Sequence, residues 1–502
     1  MADERPTAEQ PDGRGWLRRV LARFVAQPRR GDVIAANVAG SAQGVAVGKN
    51  IVQIGTLNVP VWPLFALLLV LAVGAGVWAL AQRGPPVMQG QFNVAVADFV
   101  ELDVQGRART TERAERLGAL VFDTLRASYP QPNPALLIWR DGSVPWTQQG
   151  ARIGTVAGGA QAITTARQIS ADVLIYGALD GQARFTLQLY VSQRSGIYGD
   201  ANAIVGAYRF GEPIQLDAAD IAASSDALTS RVHALVGLIK GMRADRRGDF
   251  NAAQAAYADA ERQLPVGKSR VKAIIGFFKG NSFYYRSLLD STAPAESQAL
   301  LNEARDAFTE ALRNDNSYAR AHIGLGSVYY ERAQRWENHA ERLQQPELEM
   351  AIAAFGRAST LALSTSEPAL VLAIAQQGLA TAYYLKGATL YNLGREGAAD
   401  PVLNGAVTLL VSTRVILEAN GEYRLVAQSY QTLGGMLRFR ARIAQRRNDR
   451  AASQELYAQA DAAYAGCVEQ GGAAANDAAL SVLTSSCAET RQQLQPTLMP
   501  PA

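Results

Sequence analysis

The chain carries few residues suited to catalytic or metal chemistry. Its 502 residues include three His (His233, His322, His339) and two Cys (Cys467, Cys487). That is a thin supply for a transition-metal site. No GxSxG and no HExxH occurs, and no His precedes His233, so the sequence writes neither a serine-hydrolase elbow nor a zinc-protease helix. A general acid–base pair would have to come from Asp98 and Asp172, at the edges of predicted strands. Read as turn acids, the same two residues need no cleft. Gly44–Asn50, GVAVGKN, has the outline of a phosphate loop, but three residues rather than four separate its glycines and no Ser or Thr follows Lys49. We therefore expect no catalytic residue, no cofactor and no metal.

What remains is charge. Arg438–Arg450, RFRARIAQRRNDR, holds six Arg and one Asp. Arg438, Arg442 and Arg446 share one helical face, which would suit an acidic partner or stand as a solvated surface. A net charge of +4, from 49 basic and 45 acidic residues, with no Gly-rich or aromatic motif beside the Arg run, gives no expectation of nucleic acid.

Val61–Ala81, VWPLFALLLVLAVGAGVWALA, is 21 residues without a charge. At ~1.5 Å per residue it covers a ~30 Å hydrocarbon core, and Trp62 and Trp78 fall at its interfacial ends. The expectation is a single transmembrane helix over 61–82. A cleaved signal is disfavoured, because about 60 residues precede the run, far more than an ordinary n-region. Residues 1–60 hold eight basic and five acidic side chains, whereas only Arg83 follows the run before Asp98. The positive-inside rule then leaves the amino terminus in the cytoplasm and the remainder outside. Within 1–60, Trp16–Ala26 reads as a basic amphipathic helix or as a fluctuating basic tail. The Gly/Ala/Val-rich 31–60 reads as a linker, or as short strands that associate between copies into a homo-oligomer.

From 90 to 216 the pattern is strand, helix, strand, helix, strand and hairpin. The strands are Phe92–Leu102, Pro134–Gly142, Asp172–Gly181, Arg184–Ser192 and Ala203–Phe210. The helices are Thr111–Ser128 and Ala160–Ala171. This predicts one sheet with helices packed on it. FNVAVADF and ISADVLIYGAL (Ile169–Leu179) resemble two motifs of the amino-terminal domain of TolB and of envelope proteins such as FlgO. The resemblance implies a non-catalytic interaction module outside the cytoplasm.

From 229 to 495 strand signals stop. Ala234, Gly241, Gly248, Ala253, Tyr257, Ala260 and Pro265 recur at the offsets of a 34-residue helix pair, and this unit is identified as a tetratricopeptide repeat. Ala380, Gly387, Gly394, Ala399, Leu403 and Ala406 begin another. Three more units (Gly280 to Phe308, Gly326 to Phe355, Gly434 to Tyr464) carry extra residues, read as lengthened helices. A capping helix over 477–493 and a disordered tail over 496–502 complete the chain. Repeats that clamp a peptide carboxylate use a Lys where this chain has Leu238, Phe277 and Ile323, so that clamp is absent. The expected contributors to a more aromatic groove are Phe277, Phe278, Tyr284 and Tyr285, with packing as the competing role.

Cys467 and Cys487 would pair outside a reducing compartment. With a helix ending at Gln470, their depths differ by about 10 Å in a plain antiparallel hairpin, so the pairing stays open at this stage. The fold class is α+β multidomain: transmembrane helix, small α/β domain, all-α repeat solenoid. The function expected is a non-enzymatic, membrane-anchored scaffold that binds protein or peptide partners outside the cytoplasm. The alternatives are a cytoplasm-facing receptor with the same modules and a hydrolase using the α/β domain.

Overall fold

The computed structural model describes residues 87–129, 136–141, 153–193, 202–216, 226–289, 291–364, 369–473 and 478–498. The segments expected over 1–60 and 61–82 lie outside the described residues. The described residues belong to one compact unit.

In the α/β domain, β1 (Phe92–Val96) lies between β4 (Leu136–Arg140) and β5 (Val173–Leu179), parallel to both. The hairpin strand β6 (Arg184–Val191) runs antiparallel to β5, and β7 (Gly206–Arg209) and β8 (Ile214–Gln215) pair with β6. The expected strand over 92–102 is broken at Asp98. Beyond the break, β2 (Val100–Leu102) continues along β5 and pairs with the two-residue β3 (Ala108–Arg109). Helix α1 (Glu112–Ala127) starts where the Thr111 hydroxyl accepts from the Ala114 N–H at 3.3 Å, satisfying an otherwise orphan donor. Period-2 alternation then divides the core. Phe92, Val94, Val96, Val173 and Ile175 join Leu117, Val121 and Leu125 of α1 on one face. Ala95, Leu174, Tyr176 and Tyr190 meet Ala162, Ala166 and Ile169 of α2 (Gly159–Ile169) on the other.

The rest is helical. The pairs are α3/α4 (Asp226–Arg246, Phe250–Arg262), α5/α6 (Arg270–Ser287, Pro294–Asn314) and α7/α9 (Ala319–Gln334, Glu347–Ser364). They continue as α10/α11 (Ala369–Asn392, Glu396–Ala419) and α12/α13 (Tyr423–Arg446, Arg450–Ala473), closed by α14 (Ala478–Leu498). At the crossings a Gly of the first helix faces a large side chain of the second. A Cβ on Gly280 would lie 2.6 Å from Phe308, on Gly326 2.8 Å from Phe355, on Gly387 2.6 Å from Leu403, and on Gly434 2.8 Å from Tyr464. Gly241 meets Tyr257 in the same way, and Gly248 takes the turn at φ +71°, a conformation that suits Gly best. This is a tetratricopeptide-type helical array.

The long units solve their extra length in two ways. In α12 and α13 both helices reach 24 residues, against 13 in α4. Between α7 and α9, by contrast, the insertion is a separate helix, α8 (His339–Gln344), which corrects the expectation of lengthened helices there. Asn338 caps α8 by accepting from the Ala340 and Glu341 N–H groups at 2.9 and 3.4 Å. Arg342 donates to the Ala333 and Gln334 carbonyls at 3.0 and 3.1 Å, closing the end of α7. Helix α14 also runs past the expected limit at 495, carrying Pro496 in its last turn. Among the described residues one helix, α11, is long and apolar enough to cross a membrane. Its Leu403, Ala406, Leu410 and Leu417 are buried within the array.

Candidate interaction surfaces

The first helices of the pairs carry the residues expected to line a groove, and the α/β domain is docked against them. Phe278 of α5 lies 5.4 Å, ring to ring, from Tyr208 of β7. Phe277 is enclosed by Phe308 and Tyr318 at 5.9 and 5.8 Å. Both Phe are fully buried, so the open aromatic groove expected here is replaced by an internal interface. The cause is elementary: the sheet face that packs on α1 is apolar beyond the area one helix covers, and the array buries the remainder. Tyr284 is half-buried, and Tyr285 packs 6.2 Å from Phe250.

Polar contacts fix the docking. Arg320 of α7, fully buried, donates through Nη1 to the Ala203 and Val205 carbonyls at 2.5 and 3.0 Å. The backbone at Gly206 lies so close that a Cβ there would approach Arg320 Nη2 to 2.8 Å and Leu370 of α10 to 3.1 Å. Arg246 of α3 donates to Asp172 Oδ1 at 2.6 Å, while the Asn93 N–H donates to Oδ2 at 2.7 Å. At the far end Glu422, fully buried, accepts from Arg167 Nη2 at 3.2 Å and from the Tyr190 hydroxyl at 3.3 Å. Burial raises the Glu422 pKa, and Arg167 opposes the shift. Apart from Asp172, weighed in the sequence as a general acid or base, none of these docking residues stood out as a site. The one available signal was a charge inside a small-residue stripe, Ala319-Arg320-Ala321.

Asp98 and Asp172, the only acid–base pair the sequence offered, are held apart. Asp172 stands beside Asn93 of β1, and Asp98 lies five residues farther along the extended chain, just past the end of β1, roughly 16 Å at ~3.3 Å per residue. Paired carboxylates in glycoside hydrolysis lie within about 9.5 Å. Burial and Asp141 raise the Asp98 pKa, against Arg140 at 3.8 Å. The three His sit on α3, α7 and α8. Among the described residues no three metal-ligating side chains converge.

The Arg run of α12 divides in two. Arg446 pairs with Glu396 at 2.6 Å and covers the Tyr391 ring at 4.1 Å; Arg440 and Arg447 pair with Asp400 at 3.0 and 3.2 Å. Arg438 and Arg442 have no carboxylate partner among the described residues. They lie near Tyr384 and Tyr464, whose pKa values burial raises and these two cations lower. Phe439 joins the patch, 5.6 Å from Tyr384, 5.5 Å from Tyr391 and 5.8 Å from the Arg442 guanidinium carbon. The Arg438 Nε is buried and unbonded.

Cys467 and Cys487 form a disulfide that ties α13 to α14, with Cα atoms 6.2 Å apart. The expected depth mismatch shrinks because α13 continues to Ala473. Cys467 is then six residues from its helix end and Cys487 nine residues into α14, a difference of about 4.5 Å.

No protein-family model matches the chain, and no curated relative does. Among solved structures it is similar to a thermophilic tetratricopeptide protein of Thermus thermophilus, at 16% identity, over 51% of this chain and 98% of that one, with a TM-score of 0.29. A likeness at that score carries no argument; the repeat fold rests on the helix pairs and their Gly crossings.

Proposed function

We propose that the protein is a non-enzymatic scaffold, anchored by residues 61–82, that holds an acidic segment of a partner protein outside the cytoplasm. The observation that carries this reading is the contrast along α12. Arg440, Arg446 and Arg447 are neutralised within the array, yet Arg438 and Arg442 stand without a carboxylate partner among Tyr384, Phe439 and Tyr464. Guanidiniums flanked by aromatic rings suit a carboxylate-bearing peptide with an apolar residue beside it. The docked α/β domain already fills the first-helix faces nearer α5 and α7, whereas this patch lies away from it on α12. The disulfide supports an oxidising compartment. The cytoplasm-facing receptor differs from this reading only in orientation.

The test uses the full-length protein in detergent and a fluorescein-labelled Glu-rich peptide. Saturable binding that weakens with salt and falls at least tenfold in Arg438→Glu/Arg442→Glu is expected. Equal binding by that variant removes the surface. A carboxy-terminal alkaline phosphatase fusion should be active; an inactive phosphatase with a fluorescent cytoplasmic fusion would establish the receptor orientation instead.

A further inference from the structure

A second charged feature lies at the other end of the array, where α1 of the α/β domain meets the first helix pair. A cleft of 360 Å³ is lined there by Tyr129, Lys240, Arg243, Arg247, Ala244, Asp249, Ala252 and Ala256. Lys240 and Arg243 lie on one side of α3 and Arg247 follows in the turn after its last residue, and none of the three forms an ion pair among the described residues. Their neighbour Arg246 behaves differently: it turns to the buried Asp172. The wall therefore presents three cations, with Asp249 as its single acid, and Asp249 Oδ1 is occupied as the cap of α4 by the Ala252 N–H at 3.1 Å.

The floor adds the second observation. Tyr129 is 5% exposed, and its hydroxyl has no hydrogen-bond partner among the described residues. The Arg243 Nε beside it is also buried and has no hydrogen-bond partner among the described residues. Unpaired buried donors cost free energy unless something accepts from them. Burial raises the Tyr129 pKa, so the phenol keeps its proton and serves as a donor. The Lys240 ammonium lies 5.7 Å from the Tyr129 ring centroid, at the mouth of the cleft.

We infer that this cleft binds the phosphoryl group of a small phosphate monoester. Donors from Tyr129, Lys240, Arg243 and Arg247 approach from two sides, α3 with the turn that follows it and the segment just after α1. That arrangement suits the several oxygens of a tetrahedral dianion better than the two coplanar oxygens of a carboxylate. The volume exceeds what a bare phosphate fills and is in the range of small-molecule sites. The methyl groups of Ala244, Ala252 and Ala256 supply an apolar wall for the esterified carbon.

A free metabolite and a lipid headgroup would present the same chemistry, and the test separates them. Full-length protein in zwitterionic nanodiscs is titrated with inorganic phosphate and with glycerol 3-phosphate, read by calorimetry and by 31P line broadening. Saturable binding is expected, tighter for the ester. It should weaken at least tenfold in Lys240→Gln/Arg247→Gln, which alters only exposed side chains, and severalfold in Tyr129→Phe, which removes one hydroxyl. Binding of the soluble ester assigns a free metabolite; retention only by vesicles containing phosphatidic acid, lost in the same variants, assigns a lipid headgroup. Absence of saturable binding in both arms, or equal affinity in wild type and variants, overturns the site.

Discussion

The guanidinium of Arg320 lies 4.3 Å from the ring centroid of Tyr208, stacking a cation of the repeat array on an aromatic residue of the α/β domain. The same Arg320 supplies the donors for the Ala203 and Val205 carbonyls, so one side chain holds a strand end that would otherwise leave buried acceptors unpaired. The two domains thereby share a continuous apolar core, from Phe210 and Leu216 of one to Val232, Phe278 and Leu370 of the other. The α/β domain, read from the sequence as a segment of its own, is built into the repeats.

Arg320→Ala should expose that dependence. The variant leaves two carbonyls without a donor and a void beneath Tyr208, an expected cost of about 2–4 kcal/mol. Chemical denaturation measures it. An unchanged midpoint would mean that the domains hold together without Arg320.

Glu422 gives the docking a pH dependence of unusual sign. Its folded pKa is raised above 4.5 by burial, so the folded state binds the proton more tightly than the unfolded chain does. Stability from this group is greatest below the ordinary carboxylate range and is lost as pH rises through the raised value. Glu422→Gln keeps the shape and removes the titration. Relative to that variant, the wild type should gain thermal stability as pH falls from about 8 toward the ordinary carboxylate value. A difference independent of pH would sink the assignment.

Two glycines should respond oppositely to substitution. Any side chain at Gly241 overlaps the Tyr257 ring, whose hydroxyl also donates to the buried Asp245 at 2.6 Å. Gly241→Leu should therefore lose ~1–3 kcal/mol or more through overpacking. Gly405, in the middle of α11, has nothing within 4 Å of an added Cβ. Gly405→Ala should gain ~0.5–1 kcal/mol from helix propensity. Thermal unfolding of the pair tests the repeat register, which fails if both variants match wild type.

The disulfide can be tested on material from the native compartment. Thiol labelling of the denatured, unreduced protein should find no free Cys, and reduction should cost ~2–4 kcal/mol. Two labelled thiols would remove the bridge and count against the extracytoplasmic orientation.

Local pattern was enough to read the longer sheet strands, the two helices of the α/β domain and the helix pairs, but not the two-residue strands β3 and β8 or the break at Asp98. Alternation in FNVAV and the spacing of Gly241, Tyr257 and Ala260 depend on which face each residue presents, a property of the nearest few positions. The Arg438–Arg442–Arg446 face was legible for the same reason. Which of those cations remained without a carboxylate was not, because Glu396 and Asp400 reach α12 from a different helix. The docked domain was equally hidden: Arg320 meets Ala203, and Arg167 meets Glu422, across sequence separations of 117 and 255 residues. Nothing in a window of sequence marks such a contact. The sequence by itself determined the helices, the strands and their buried faces. Only the tertiary structure decided that the array's aromatic face is filled by the chain's own sheet, and that Tyr129 closes a cationic cleft, since both depend on packing between elements that short-range periodicity does not encode.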